Sequence, residues 1–170
     1  MQAKGAATFV CNDGYRIAPF ADLLYAADLS WWEYHIESGG LDGFKGHRLT
    51  CDFEASRRFG LDYVPLDRDI VWGGAGVIAG GLNSGFQLLN VADLHKPSRI
   101  ILLGYDLQEK DGLAHWFGDH PSPLRRALPL DRFRKAFNRA APRIKAPVVN
   151  CSRETALTCF LRASLKDALP

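Results

Sequence analysis

An α/β fold is predicted, with a single open, mainly parallel sheet and helices on both faces. Three features of the sequence predict it. Short apolar runs alternate with stretches of helical period. Polar residues recur just after those apolar runs, where a parallel sheet presents its carboxyl edge. Arg99-Ile100-Ile101-Leu102-Leu103 is a continuous apolar strand, the pattern of a sheet covered on both faces. In open sheets of this type ligands bind beyond the carboxyl ends of the strands.

The elements follow in order. Ala7-Thr8-Phe9-Val10-Cys11 reads as a strand, and Asp22 to Ala27 as a second. Trp31 to Ile36 reads as a helix. Ser30, with Glu33 three residues on, forms a capping box, and Gly39-Gly40 ends the helix. Arg48 to Cys51 and Leu61 to Val64 are shorter strands. Residues 73–85 are rich in glycine and read as a loop or poorly regular segment. A helix is expected from Gly85 to about His95, capped by Ser84 with Gln87 closing a second capping box. Its apolar positions nearly encircle it, so it should be well buried. After the Arg99–Leu103 strand, a basic helical stretch runs from Pro123 to about Ala141, broken or restarted at Pro129. Pro147 to Asn150 is a final strand. Ser152 is expected to cap a last helix with Ala156, Leu157, Phe160 and Leu161 on its inner face.

A chain of 170 residues reads as one domain and buries roughly 70% of its unfolded surface at this size. The apolar fraction of 47% and charged fraction of 24% are those of a soluble globule. A formal charge of +2 is too small to make nucleic acid the main partner. No segment is long and apolar enough to span a bilayer, and no hydrophobic signal core follows Met1. A membrane partner is therefore not expected. Cys11, Cys51, Cys151 and Cys159 form no Cys-x-x-Cys pair. They read as free thiols, which fits a cytoplasmic compartment.

The chemistry-bearing residues gather after the strands. Asn12-Asp13 follows the first strand, Tyr105-Asp106 the buried one, and Asn150-Cys151-Ser152 the last. Turn and cap roles explain any one of them; one common rim would suit a ligand. Ser84-Gly85 opens a helix, where unpaired N–H groups and the dipole favour an anion. Neither Gly-Lys-Ser/Thr nor Gly-x-Ser-x-Gly occurs. His115 and His120 supply imidazoles that titrate near neutral pH, suited to proton transfer. They could instead bind metal with Asp106, Asp111 or Asp119, although the spacing matches no zinc pattern. Trp31, Trp32 and Tyr34 read as core or subunit interface. Arg132, Arg134 and Lys135 read as a solvated helix face able to attract phosphate.

The segment from Ser84-Gly85 through Arg99-Ile100-Ile101-Leu102-Leu103-Gly104-Tyr105-Asp106 resembles a signature of bacterial sialyltransferase-like Rossmann proteins. That group includes motility-associated-factor domains and 6-hydroxymethylpterin diphosphokinase-like proteins. The wording Asn12-Asp13-Gly14-Tyr15-Arg16 and Gly118-Asp119-His120-Pro121 is similar to that of small phage and prophage proteins. The resemblance covers Phe9 to Phe160. It implies one Rossmann-like domain over residues 1–170 lacking the family's first strand and Gly-Pro-Ser loop. It implies a nucleotide or nucleotide-sugar ligand held by Asn12, Asp13, Ser84, Gly85, Tyr105, Asp106, Asn150 and Ser152. His120, with His115 as second choice, would be the general base of a metal-independent glycosyltransferase-like reaction with no cofactor. Two alternatives stand beside it: a non-catalytic nucleotide-binding or interaction module, and a Mg²⁺-dependent diphosphokinase using Asp106 or Asp119. A sheet edge left by the missing strand would be expected to pair with another chain, giving a homo-oligomer.

Overall fold

The computed structural model describes residues 6–108 and 129–169. Strands β1 (Phe9–Cys11), β2 (Leu23–Tyr25), β3 (His47–Thr50) and β4 (Asp62–Tyr63) form one parallel sheet in that order. Strands β5 (Leu66–Asp67) and β6 (Ile78–Ala79) pair in parallel as a second sheet. Strands β7 (Ile100–Leu102), β8 (Val148–Asn150) and β9 (Leu161–Arg162) form a third, also parallel. The α/β class and the parallel pairing match the sequence pattern. Among the described residues the single sheet does not appear: the strands are divided among three sheets.

Alternation along β2 sets the layers of the first sheet. Leu24 packs with Trp32, Leu41, Ala55 and Leu61, beneath helices α1 (Leu29–Glu37) and α2 (Phe53–Phe59). Leu23 and Tyr25 fall in a separate cluster with Leu88 and Val91 of α3 (Ser84–Leu94). Successive strand side chains point to opposite faces, so α3 covers the other side of the sheet. The same helix turns Phe86 and Leu89 onto Ile100 and Leu102 of β7 and Phe137 of α4 (Leu130–Ala140). α3 is thus the common cover of β2 and β7, as its nearly all-round apolar sequence requires.

The caps differ from expectation at α1 and α3. α1 starts at Leu29 after Asp28, whose side chain makes no cap bond, rather than at a Ser30 capping box. In α3 the cap is Asn83, whose Oδ1 accepts the Phe86 N–H at 2.8 Å. Ser84 is already inside the helix. Gln87 closes no box, because its amide takes the Tyr25 hydroxyl at 2.9 Å and donates to the Gly80 carbonyl at 2.8 Å.

The glycine-rich segment contains β6, and α3 side chains hold it. Asn90 Oδ1 accepts the N–H groups of Gly73 (3.0 Å) and Ala79 (2.8 Å). Asp93 accepts the Trp72 indole N–H at 2.9 Å and the Ala146 N–H at 2.9 Å, with Lys145 N–H at 3.1 Å. Gly81 has φ +55°, and a Cβ there would lie 1.8 Å from the Phe86 ring. Only glycine fits that contact.

A further expectation fails beyond β7. No helix starts at Ser152: residues 151–160 run as turns into β9, and the last helix, α5 (Leu165–Ala168), is capped by Ser164. Here Ser152 Oγ accepts the Tyr105 N–H and Thr155 Oγ1 donates to the Tyr105 carbonyl, while also accepting the Leu157 N–H at 3.0 Å. Burial is also uneven around the third sheet. Ile100 and Leu102 are buried, while Leu103 is 56% exposed and Leu161 71% exposed.

Candidate functional site

A cleft of ≈ 2800 Å³ opens between the first and third sheets, lined by β1, β7 and the first turn of α3. The direction of these elements follows from their ends. His95, just past α3, lies edge-on to Phe9 at the start of β1, 5.6 Å between rings. At the other end the Tyr105 hydroxyl, just past β7, donates to the Gly85 carbonyl at 2.9 Å. Both strands therefore run antiparallel to α3 and parallel to each other. Their carboxyl ends meet at the first turn of α3.

Asn12, at the end of β1, has φ +48° and lines the cleft. Asp13 borders the cleft too but is 3% exposed. Its carboxylate accepts the Trp31 indole N–H at 3.3 Å, lies 3.2 Å from Arg16 Nε and 3.7 Å from His35 Nε2. The Tyr15 hydroxyl reaches His35 Nδ1 at 3.0 Å, and Trp31 stacks on the imidazole at 4.1 Å. Asp13 thus anchors the 3-10 turn over residues 12–16 to α1. Trp31 and Trp32 belong to the core.

The first turn of α3 brings Ser84 and Gly85 to the cleft. Their N–H groups are among those a helix leaves without an internal acceptor. Asn83 adds an amide whose Nδ2 is buried with no partner among the described residues. A Cβ on Gly85 would lie 3.3 Å from the Tyr105 ring, so the ring and the helix start touch. Tyr105 is fixed at three points: its hydroxyl on Gly85, its N–H on Ser152 Oγ (2.8 Å), and its carbonyl on Thr155 Oγ1 (2.6 Å). Burial raises its phenol well above the ordinary value, so it stays a proton donor. Asp106 lines the same cleft, and its carbonyl accepts the Ala156 N–H at 2.8 Å.

Asn150 and Ser152 stand behind this rim. They are 0% and 4% exposed and do not line the cleft. Asn150 Oδ1 accepts the Ser152 N–H at 3.0 Å, and Ser152 in turn holds Tyr105. They position the loop. His115 and His120, with Asp111 and Asp119, lie outside the described residues. Among the described residues no group of three or more His, Cys, Asp or Glu side chains is arranged to hold a metal, and no helix is long and apolar enough to cross a membrane.

The cap beside the cleft is Asn83 rather than the expected Ser84, and asparagine is among the strongest N-caps. The basic helix was read as one face, but its period separates two. Arg132, Lys135 and Arg139 are exposed and line the cleft, whereas Arg134 turns away to bond Asp131 and the Leu107 carbonyl. Spacing of three and four residues carried that signal.

Burial raises the thiols of Cys11, on the cleft wall, and Cys159 from 9.0 to about 11. A thiol that keeps its proton longer when folded stabilises the fold. That contribution is fully present below pH 9 and is lost as pH rises through about 11. Urea midpoints should therefore fall across this range, and the Cys11→Ala, Cys159→Ala double variant should fall less. An equal fall in both proteins counts against buried thiols.

Comparison of the chain with protein-family models, with curated proteins and with solved structures returned no match.

Proposed function

We propose that the protein binds a nucleotide or nucleotide-sugar at the carboxyl ends of β1 and β7, in a Rossmann-like manner, and is glycosyltransferase-like. One observation carries the reading. Among the described residues, five non-glycine residues have positive φ, and Asn12, Leu82 and Leu107 of them line this one cleft. Left-handed backbone costs such residues about 1–3 kcal/mol each, and strain of that kind concentrates where a ligand is bound. Polar groups suited to an anion sit beside it: the α3 start, the Asn83 amide, and the exposed cations of α4.

In this reading Asn12, Ser84 and Gly85 hold the phosphate end, and Tyr105 and Asp106 line the donor pocket. Developing negative charge on a leaving phosphate is met by N–H groups and the helix dipole. His120, or His115 as second choice, takes the acceptor proton, a role that rests on the family resemblance. A binding module without turnover is the second reading, favoured by the edges of β1 and β7 that have no strand partner among the described residues.

The test is a thermal-shift series with CMP, CDP, UDP, GDP, ADP and their sugar conjugates, with Mg²⁺ or EDTA. A ligand at about 100 times its Kd adds roughly 2.7 kcal/mol, a clear rise in Tm. A rise that survives EDTA and is lost in Gly85→Leu supports the reading. A rise that needs Mg²⁺ favours diphosphate transfer, and silence across the series overturns a nucleotide site. With binding established, loss of sugar transfer in His120→Ala separates the enzyme from the binding module.

A further inference from the structure

The 3-10 turn over Asn12–Arg16 brings Asn12, with its φ of +48°, to the cleft. The turn is tied to α1 by a cluster that the ligand reading does not use. Asp13, Tyr15, Trp31 and His35 of that cluster are all buried. Trp31 stacks on the His35 imidazole at 4.1 Å, and Tyr15 and Tyr34 meet the ring edge-on. Among the described residues, the charged and titratable groups around the ring are Asp13, Tyr15 and Arg16 from the turn and Tyr34 from α1 itself. Glu33 and Glu37 of α1 are held by Arg58 of α2. β2 and the segment after α1 contribute the apolar Leu24, Ala26, Leu41 and Phe44 to this core.

The distances say where the protons sit. An arginine only donates, and the Arg16 Nε–H is shared between the Tyr15 oxygen at 3.5 Å and Asp13 Oδ1 at 3.2 Å. The Tyr15 hydroxyl is then the donor to His35 Nδ1 at 3.0 Å. A neutral imidazole has one N–H, so here it is on Nε2, which faces Asp13 Oδ1 at 3.7 Å. That distance is beyond hydrogen-bond reach. Asp13 Oδ2 takes the Trp31 indole N–H at 3.3 Å. A second proton changes the arrangement. Imidazolium donates from both nitrogens, so Nδ1 gives its proton to the Tyr15 oxygen and the hydroxyl proton rotates away. Nε2–H, now charged, closes on Oδ1, because bonds between ionised partners are shorter and stronger. Both oxygens that held Arg16 Nε are then claimed by His35. The Arg16 side chain is 48% exposed and moves to water.

We propose that His35 is a proton-operated latch on the turn that carries Asn12 to the cleft. With the ring neutral, Asp13 and Tyr15 hold Arg16, and both ends of the turn are fixed. With the ring protonated, His35 displaces Arg16 from both. The end of the turn that leads into Ile17 and Ala18, which line the cleft, is then released. Histidine is the side chain that ordinarily changes charge between pH 5 and 8, so the change is expected in that range. The latch does not depend on what the cleft binds.

The test is an NMR titration of the full chain from about pH 5 to 8. It follows the His35 ring nitrogens, the Arg16 Nε–H, and the amides of Asn12 and Ile17. One shared midpoint is expected, with the neutral ring protonated on Nε2 and the amides of α4 unmoved. Arg16→Gln removes the competing cation and should raise the His35 midpoint by roughly one pH unit. His35→Gln cannot take the proton, so the Arg16 and Asn12 signals should lose their pH step. Arg16 is half-exposed, so its variant keeps the test open even where His35→Gln fails to fold. A His35 ring that does not titrate in this range overturns the latch. Titration of the ring with Arg16 and Asn12 unmoved overturns it too, and leaves a buried histidine with no effect on the turn. An unchanged midpoint in Arg16→Gln shows that the two cations do not compete for Asp13, and also overturns it. So does a step in which every amide moves, which is unfolding.

Discussion

Asp93→Asn is expected to lower stability by about 3 kcal/mol, because buried hydrogen bonds to a charged group contribute about 1.5–3 kcal/mol each. Asp93 is 4% exposed, and its two oxygens serve three N–H donors in two segments. One takes the Trp72 indole of the glycine-rich stretch at 2.9 Å. The other takes the N–H groups of Lys145 and Ala146, at 3.1 and 2.9 Å, just before β8. Asparagine keeps the shape but replaces one acceptor with a donor. Either the indole or the Lys145–Ala146 turn then faces an N–H with its own N–H. Urea unfolding of Asp93→Asn, Trp72→Phe and the double variant measures the effect. The double variant should be markedly more stable than the two losses added together predict, because the pair acts as one unit. Simple additivity contradicts this role for Asp93.

Phe137→Ala should cost about 3–5 kcal/mol, the range for deleting a buried aromatic ring. Phe137 is fully buried. Its ring meets Phe86 edge-on at 5.2 Å, Tyr105 at 6.0 Å and Phe160 at 6.4 Å. It is the contact through which α4 braces both α3 and the loop after β7. The loss should therefore show twice: as a Tm lower by roughly 10 °C, and as weaker nucleotide binding at temperatures where the variant is still folded. Phe137→Leu, which keeps most of the volume, should recover most of both. Unchanged binding in folded Phe137→Ala would show that Tyr105 is held without this ring.

Much of the fold was legible because its signals are local. Apolar runs marked β1, β2, β3 and β7 to within one or two residues, and the apolar surround of α3 foretold its burial. What was not legible depends on distant partners. Gln87 sits where a capping box would close, yet Tyr25 and Gly80 claim its amide. Ala156, Leu157, Phe160 and Leu161 have helical spacing, yet Ser152 and Thr155 bond to Tyr105 and keep the segment in turns. The division into three sheets is likewise invisible in the strands. The sequence of β1 or β7 carries no mark of whether its second edge is paired. For the site, the residues Asn12, Asp13, Ser84, Gly85, Tyr105 and Asp106 line the cleft. Residue type alone does not separate these from Asn150 and Ser152, which also follow a strand. Only position in the fold distinguishes a residue that lines the cleft from one that holds the lining.

The most direct test of a ligand site at the carboxyl ends of β1 and β7 is a two-dimensional amide NMR titration with CDP, without metal. The account predicts saturable shifts concentrated at Asn12, Ser84, Gly85, Tyr105 and Asp106, with α1 and α2 unmoved. Saturable shifts confined to other surfaces, or none with any nucleotide in the series, would contradict it.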